Sequence, residues 1–264
     1  MNDVILSTEN RFIKHVLKLL ENKNYRQEYQ LGVLYGETII AEADKYNLIT
    51  DIMVKTEYYE YYKAKFINDN IHWHLVDNDQ IFKKLNVLNI NYNLLAVISK
   101  AKNIIIDDFY NQNCIILDQI QDPGNLGTIF RTAQAAGINN IILSNNSVDA
   151  YNPKVLRATM GMQFRLQVLQ NVDLHDFLTH YTKANGTIIC CTTDAKRSIY
   201  QHNFKNYKNT GLLFGNEGHG ISKELLDQYL DDAAYIPMHK SSESLNIAIA
   251  VAITSYELYR QLNN

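Results

Sequence analysis

Short apolar runs alternate with helix-like segments along most of this chain, and that alternation restricts the fold more than any other feature. From residue 114 onward, strands are predicted at CIILDQ, NIILS, RLQVLQ, TIICCTTD, TGLLF and AAYIPM, with helices between them. Strands that alternate with helices in this way are typical of an α/β fold with a mostly parallel sheet.

The first hundred residues show a similar alternation, with strands predicted at QLGVLYG, ITDIMVK, IHWHLVD, NLLAVISK and NIIID. This pattern predicts a smaller α/β domain, also with a largely parallel sheet. Near residues 106–112 the chain is polar and lacks periodicity. We therefore predict two domains, at residues 1–106 and 113–264.

Composition restricts the class of protein. Apolar residues make up 46% of the 264 residues and charged residues 20%, as in soluble globular proteins. No apolar run reaches the roughly 18 residues that span a bilayer, and the N-terminus lacks a signal-peptide pattern. We expect a cytoplasmic protein without a membrane segment. The net charge of −3 leaves nucleic-acid binding open, because a basic face can be local.

The three cysteines give no sign of a disulfide framework or of a metal site. Cys114, Cys190 and Cys191 all lie within apolar runs, and their spacing fits neither pattern. We expect buried thiols in a reducing compartment and no bound metal.

The first predicted helix has an apolar face and a basic face. The basic face carries Arg11, Lys14, His15 and Lys18, and Lys23 and Arg26 follow shortly downstream. Such a pattern is typical of a solvated helix face, and it would also suit a contact with RNA phosphates. Both interpretations remain open at this point.

The final helix, within SLNIAIAVAITSYELYRQL, is apolar around much of its circumference. A helix that is apolar on more than one face must be buried on more than one side. Its alanines permit close approach of another helix, so we expect a homodimer that uses this helix.

The stretch DPGNLG, which opens a predicted helix, raises the question of a nucleotide phosphate. It lacks the G-x-G-x-x-G spacing, no acidic residue closes the next strand to hold a ribose, and no Walker lysine follows. A dinucleotide or nucleoside triphosphate site is therefore disfavoured.

Two later stretches also carry polar residues that local structure does not require. In LLFGNEGHGIS, a turn does not need Glu217 between its small neighbours. In IPMHKSSESLNIAIA, N-capping accounts for one or two polar residues. It does not account for Asn246, which lies inside the helical pattern and must find hydrogen-bond partners if it is buried.

Taken together, these three stretches resemble the three motifs of SpoU-type (TrmH-like) RNA ribose 2′-O-methyltransferases of the SPOUT superfamily. The intervening NPKVLRATMGMQFRLQV fits the same pattern, and the resemblance covers residues 113–264. Residues 1–105 resemble the L30e-like RNA-binding domain that precedes many such enzymes, on the basis of NRFIKHVLKLLENKNYRQEYQLGVLYGETIIAEA.

The resemblance implies a fold, a cofactor and a set of site residues. The C-terminal domain would thread a trefoil knot and bind S-adenosylmethionine. By position, the cofactor would be surrounded by Thr192, Gly215, Ile236, Met238, Leu245 and Asn246. The catalytic group would be Asn125, Arg131, Glu217, Ser244 and Asn246. RNA would contact Arg131 and, in the N-terminal domain, Arg11, Lys14, Lys18 and Arg26.

The implied reaction transfers a methyl group from a sulfonium to a ribose 2′-hydroxyl of structured RNA. Ribosomal RNA is the expected substrate, and transfer RNA is the alternative substrate. A further alternative is that the protein is a catalytically inactive relative that only binds RNA. The arginine that matches Arg131 has been proposed as the base in this family. A guanidinium rarely gives up its proton, so we expect Arg131 mainly to hold a phosphate and stabilise developing negative charge.

Two positions depart from the family pattern. Lys240 stands where glycine is common, and it could either hinder approach to the cofactor loop or add an RNA contact. Tyr35 precedes Gly36 where relatives carry glutamate, which weakens the expectation that this domain reads RNA as its relatives do. The expected catalytic residues all match, so we expect an active enzyme.

Overall fold

The computed structural model describes residues 4–66, 68, 70–90, 92–100 and 104–264, which fall into two compact units. Unit 1 contains the described residues among 1–102 together with Tyr151–Phe164. Unit 2 contains the described residues among 103–150 together with Arg165–Asn264.

Up to residue 100 the chain forms five α-helices and four strands among the described residues. In chain order these are α1 (Arg11–Glu21), α2 (Lys23–Tyr29), β1 (Leu31–Tyr35), α3 (Glu37–Asp44), β2 (Ile49–Lys55), α4 (Tyr59–Lys65), β3 (His72–Val76), α5 (Asp79–Lys84) and β4 (Leu94–Ser99).

From residue 104 onward the chain continues with α/β alternation. The elements are β5 (Cys114–Leu117), α6 (Pro123–Ala135), β6 (Asn140–Ser144), α7 (Pro153–Thr159), β7 (Gln167–Val172), α8 (Leu174–Lys183), β8 (Gly186–Cys190), β9 (Arg197–Ser198), β10 (Asn209–Phe214), α9 (Lys223–Tyr229), β11 (Ala234–Tyr235) and α10 (Ile247–Asn263).

The sheet of unit 1 has the order β1-β4-β2-β3 and is mostly antiparallel. β4 lies between β1 and β2 and runs against both, and only β2 and β3 pair in parallel. The prediction of a largely parallel sheet in this part of the chain is therefore wrong. The predicted strand NIIID is not formed either, because Ile106–Asn111 is a 3-10 helix and residue 103 lies outside the described residues.

The sheet of unit 2 confirms the expected parallel α/β arrangement. Its order is β7-β6-β5-β10-β8, and every pairing in it is parallel. The chain moves from β5 outward through β6 and β7, and then returns to the other side of β5 through β8 and β10. The strand order therefore reverses between β5 and β10, and the carboxyl ends of strands at such a reversal form a crevice that ligands use.

The helix pair α1 and α2 meets at a tight corner. The Asn22 side chain accepts a hydrogen bond from the Tyr25 backbone N–H at 3.0 Å. Arg26 is only 3% exposed, and its Nη1 donates to the carbonyls of Leu19 and Leu20 at 2.8 and 3.2 Å. Arg26 thus joins α2 to the end of α1, and its buried position does not fit the RNA contact predicted for it.

Tyr35 is a packing residue in the core of unit 1. It is buried, its hydroxyl donates to the Leu85 carbonyl at 2.7 Å, and its ring meets that of Tyr92 edge-on at 4.8 Å. These contacts account for a large aromatic residue at this position.

The segment Tyr151–Phe164 shares the core of unit 1 although it lies far along the sequence. Leu156 is buried in a cluster with Leu34 and Ile98, and Tyr151 and Phe164 pack against that cluster. A single sequence boundary near residue 106 does not describe this grouping, because α7 lies after that boundary in the sequence but belongs to unit 1. The helical pattern of this segment predicts a helix, but it does not indicate which core the helix joins.

Candidate active site

A cavity of about 490 Å³ lies at the carboxyl edge of the unit 2 sheet, beside the crevice between β5 and β10. Its wall is formed by the segments that follow β8, β10 and β11, and by the first turn of α10. The lining residues are Asn125, Cys191, Thr192, Thr193, Phe214, Gly215, Asn216, Glu217, Gly218, Gly220, Ile221, Ala234, Ile236, Met238, Ser244, Leu245, Asn246, Ile247 and Ala250.

The structure brings together all but one of the site residues predicted for the C-terminal part. The six predicted cofactor residues line this cavity, and so do four of the five predicted catalytic residues. Arg131 is the exception: it lies on the exposed side of α6, outside the lining.

The loop after β10 is a tight hairpin held by its own backbone. The N–H of Asn216 donates to the Gly220 carbonyl at 2.8 Å, and the Gly220 N–H donates back to the Asn216 carbonyl at 2.9 Å. The Asn216 side chain also accepts from the N–H groups of Gly218 and His219. This hairpin fixes the direction in which Glu217 leaves the loop.

Glu217 fastens this hairpin to the start of α6. Its carboxylate accepts hydrogen bonds from the backbone N–H groups of Gln121 and Asp122 at 3.1 and 3.0 Å, and from Asn125 Nδ2 at 3.1 Å. Free N–H groups at a helix start are the donors that bind phosphate. At this turn Glu217 accepts the N–H groups of Gln121 and Asp122, which precede the helix, and the Asp122 side chain accepts that of Asn125 in its first turn. These bonds leave fewer donors for a phosphate, as expected if DPGNLG is not a nucleotide site.

The same contacts decide the charge of Glu217. Partial burial raises the pKa of its carboxyl. The hydrogen bonds from the Asp122 backbone, the Asn125 side chain and the Gln121 backbone lower it, and together they outweigh the effect of burial. The net pKa is below the ordinary value, so the carboxylate is ionised at neutral pH.

Asn125 is bonded on both sides of its amide. Its Nδ2 donates to Glu217, and its Oδ1 accepts from Asn246 Nδ2 at 2.9 Å. Asn246 in turn accepts the Ala248 backbone N–H at 2.9 Å and is the N-cap of α10. The view that Asn246 lies inside the helix was wrong: α10 begins one residue later, and Asn246 is exposed rather than buried.

These bonds divide the predicted catalytic residues into two kinds. The side chains of Asn125, Glu217 and Asn246 are hydrogen-bonded to one another. These bonds hold α6, the loop after β10 and the start of α10 in a fixed arrangement. Arg131 and Ser244 are exposed, and their side chains make no hydrogen bond or ion pair with any residue that the structure describes. Among the predicted catalytic residues, the polar groups without a partner in the described part of the chain are therefore the Arg131 guanidinium and the Ser244 hydroxyl.

Replacing Glu217 by glutamine should lower the free energy of unfolding by about 1 kcal/mol at pH 7, because a charge-assisted contact at a half-exposed site is lost. A carboxyl with a lowered folded pKa stabilises the protein above its unfolded pKa and loses that effect as pH falls through the folded pKa. The difference between wild type and variant should thus shrink in acid.

Urea unfolding at pH 7 and at successively lower pH measures that difference. Glu224→Gln is the matched control, since Glu224 is an exposed carboxylate of α9 without a hydrogen bond to any described residue. A constant gap between wild type and Glu217→Gln at all pH values would contradict the role assigned to the ionised carboxylate.

Several contributors to the site were not anticipated from the sequence. Gln121 and Asp122 act through backbone N–H groups, which leave no trace in residue type. Asp122 does carry a signal, because an aspartate before Pro123 is typical of a helix N-cap, and its side chain accepts the Asn125 N–H at 2.7 Å. Ala250, one of the alanines taken as a sign of helix contact, lines the cavity.

Cys191 also differs from expectation. It lines the cavity and is half-buried, whereas Cys114 and Cys190 are buried as predicted. Burial raises the pKa of both buried thiols to about 12, so they are protonated at neutral pH.

Two other kinds of feature, a metal-ligand cluster and a membrane-spanning helix, are absent from the described ranges. No three His, Cys, Asp or Glu side chains there come together as metal ligands. Likewise, none of the helices in that part of the chain combines the length and apolar character needed to cross a bilayer.

Comparison with known proteins gives matches over almost the whole chain. A family model described as the SpoU rRNA Methylase family matches residues 112–256. The 23S rRNA (guanosine(2553)-2′-O)-methyltransferase RlmP of Bacillus subtilis is 30% identical over 258 residues, covering 96% of this chain and 98% of that protein. An uncharacterized tRNA/rRNA methyltransferase of Synechocystis sp. is 29% identical over 266 residues, covering 97% and 93%.

Among solved structures, the AdoMet-bound rRNA methyltransferase from Sinorhizobium meliloti superposes with a TM-score of 0.86 at 25% identity. The superposition covers 98% of both chains, so the likeness includes both units.

Proposed function

Because the chain belongs to the SpoU rRNA methylase family, we propose that it transfers a methyl group from S-adenosylmethionine to a ribose 2′-hydroxyl of ribosomal RNA. One observation carries this proposal beyond family membership. The hydrogen-bonded set of Glu217, Asn125 and Asn246 lies on the same cavity as all six residues expected around the cofactor.

The cavity suits S-adenosylmethionine in size and chemistry. Its volume of about 490 Å³ lies within the range of roughly 300–1,000 Å³ of small-molecule sites. Ile236, Met238 and Leu245 offer apolar surface, while Thr192 and Ser244 offer hydroxyl groups. When bound, this cofactor supplies an electrophilic methyl group on a sulfonium. The chain's own residues would hold it and align the nucleophile.

The substrate side of the reaction would lie along the exposed face of α6. Arg131 follows Asn125 by six residues, which is about 9 Å along a helix axis. A ribose near Asn125 and Ser244 would thus have its neighbouring phosphate within reach of the guanidinium. A bidentate grip on that phosphate aligns the 2′-hydroxyl and stabilises its developing negative charge without any proton transfer to or from arginine.

Lys240 is exposed and is not among the lining residues, so its side chain does not fill the cavity. Of the two roles left open by the sequence, an RNA contact is favoured over hindrance of the cofactor.

In unit 1 we propose an L30e-like RNA-binding domain that contacts RNA through Arg11, Lys14 and Lys18. All three are exposed on α1, and Lys14 Nζ is 2.7 Å from Glu9 Oε2. An exposed pair of this kind is weak enough for an RNA phosphate to compete with it.

We also propose that the C-terminal segment completes a trefoil knot. Cys191 bridges to Ala234 in parallel, the Thr192 N–H donates to the Ala234 carbonyl, and β11 pairs with β9. These contacts bring the chain after β11 against the loop after β8, which supports such threading.

The experiment that tests the function compares 2′-O-methylation of total RNA from cells with and without the gene. Loss of one mark in ribosomal RNA is the expected result. Loss of a mark in transfer RNA instead would favour the alternative substrate, and an unchanged map would contradict the proposal. Calorimetric titration with S-adenosylmethionine separates an active enzyme from an inactive RNA-binding relative.

A homodimer through α10 belongs to this proposal. Ile249 is 49% exposed, and Tyr256, Tyr259 and Leu262 are also exposed on this helix. Ile249→Glu should convert a dimer to a monomer in sedimentation velocity, because a charge would be buried at the interface. Leu230→Glu, at another exposed apolar position of unit 2, is the control. A wild-type monomer, or an Ile249→Glu dimer, would contradict this interface.

A further inference from the structure

Three rings, one of them exposed, form a cluster at the corner of α1 and α2. The centroid of the His15 ring is 5.5 Å from that of Tyr25 and 5.4 Å from that of Tyr29, and the two tyrosine rings are 4.4 Å apart. Tyr29 is 47% exposed, so a large part of its ring surface faces solvent. Nothing in the proposed reaction uses these rings. We call His15, Tyr25 and Tyr29 the ring cluster.

The ring cluster is held in place by contacts beneath it. The buried guanidinium of Arg26 joins α2 to the carbonyls that end α1. His15 Nδ1 lies 2.9 Å from the Tyr25 hydroxyl, within hydrogen-bond distance. Tyr25 also packs against the core of unit 1. Because these contacts fix the rings before any ligand arrives, little conformational entropy is lost when one binds.

Cations flank the ring cluster along α1. Arg11 and Lys18 lie four residues before and three residues after His15, so all three share one helix face. Lys18 Nζ lies 5.4 Å from the centre of the Tyr25 ring. Both cations are exposed, and neither forms an ion pair with a residue in the described part of the chain. Both are therefore available to an anionic ligand.

An exposed ring, Tyr29, backed by two half-buried rings and flanked by cations without ion-pair partners, fits one ligand chemistry: an unpaired nucleotide, whose base stacks on a ring and whose phosphates meet the cations. We propose that the ring cluster stacks an unpaired base of the RNA substrate while Arg11 and Lys18 hold the adjoining phosphates. This inference rests on the proposed function, because it requires an RNA substrate. It adds a base-binding site in unit 1 to that function.

The neighbouring acidic residue limits the side of the cluster on which phosphates can lie. Glu28 is exposed and lies close enough to influence the Tyr29 hydroxyl. A phosphate beside Glu28 would be repelled, so the sugar–phosphate backbone runs along the α1 side of the cluster. Tyr29 therefore contributes its ring face, while its hydroxyl meets the Tyr25 side chain within the cluster.

The test measures equilibrium binding of the full-length protein to two probes, transcribed 23S ribosomal RNA and a single-stranded oligoadenylate. Stacking on an aromatic ring tolerates any base, so both probes report on the site. Tyr29→Ala should weaken both affinities about 10-fold. Tyr29→Phe, which keeps the ring, should stay within about twofold of wild type. Lys18→Gln should reduce the slope of log affinity against log salt by about 0.7 for the oligonucleotide.

Tyr61→Ala is the matched control, since Tyr61 is a 58% exposed tyrosine on α4. Circular dichroism verifies that each variant is folded. Unchanged affinity in Tyr29→Ala would overturn the proposal, as would an equal loss in Tyr29→Phe or in Tyr61→Ala. Failure of wild type to bind either RNA would also overturn it.

This test separates the base-binding site from the proposed function. If wild type methylates ribosomal RNA and Tyr29→Ala binds RNA with normal affinity, the proposed function is supported and the base-binding site is contradicted. If the methylation map is unchanged without the gene, but Tyr29→Ala still weakens oligoadenylate binding about 10-fold, the base-binding site is supported and the proposed function is contradicted.

Discussion

Arg131→Ala is expected to lower kcat for ribose methylation by about 10²–10³-fold, the usual effect of removing one group that stabilises developing negative charge. Arg131 is an exposed cation of α6 that does not line the cavity, and its side chain has no partner among the described residues. Its loss should therefore leave the affinity for S-adenosylmethionine within about twofold. Single-turnover methyl transfer and calorimetric titration measure the two quantities.

Arg131→Lys separates the two roles that the arginine could have. Lysine keeps the charge but loses the planar fork, so we expect a partial loss of turnover at neutral pH. Near-normal turnover in this variant would count against bidentate positioning. A base would behave differently: the rate of the lysine variant would climb with pH toward the lysine pKa of about 10.4. A flat profile over that range supports positioning and charge stabilisation.

Gly215→Ala should abolish measurable binding of S-adenosylmethionine and lower the Tm. A Cβ atom at Gly215 would overlap the backbone of Gly220 and Ile221. That backbone cannot move away freely, because the paired hydrogen bonds between Asn216 and Gly220 hold the hairpin closed. The hairpin must open to make room, and Glu217 then loses its position at the start of α6. We expect a cost of about 3 kcal/mol or more.

Gly218→Ala is the control for this effect on folding. A Cβ atom at Gly218 would meet only the Asn216 Oδ1 at 3.4 Å, which is an ordinary contact. Its Tm should therefore stay close to that of wild type, as differential scanning fluorimetry can show. A Gly215→Ala protein that keeps both its Tm and its cofactor affinity would contradict the rigid hairpin described here.

The sequence was informative about unit 2 for a physical reason. Strands buried on both faces read as continuous apolar runs, and the helices between them require parallel connections. The runs from Cys114 to Phe214 therefore predicted the parallel sheet that the structure has. Unit 1 shows the limit of this reasoning, because β4 follows α5 along the chain yet inserts between β1 and β2 in reverse direction.

At the site, motif resemblance identified residues but not their bonds. Glu217 was noticed because no turn requires it, yet its partners Gln121 and Asp122 lie about a hundred residues earlier and act through backbone N–H groups. Asn246 was noticed for the wrong reason, since it is a helix cap that also reaches Asn125. The basic pattern before residue 30 likewise could not separate buried Arg26 from exposed Arg11 and Lys18.

By itself the sequence determined most of the helices and strands, which of their faces are apolar, and which family the motifs resemble. These properties depend on residues a few positions apart, so local periodicity and turn chemistry record them. Only the tertiary structure decided the strand order of unit 1 and the core that Tyr151–Phe164 joins. It also decided the contacts of Glu217, because packing between distant segments selects such partners and the local pattern does not encode that selection.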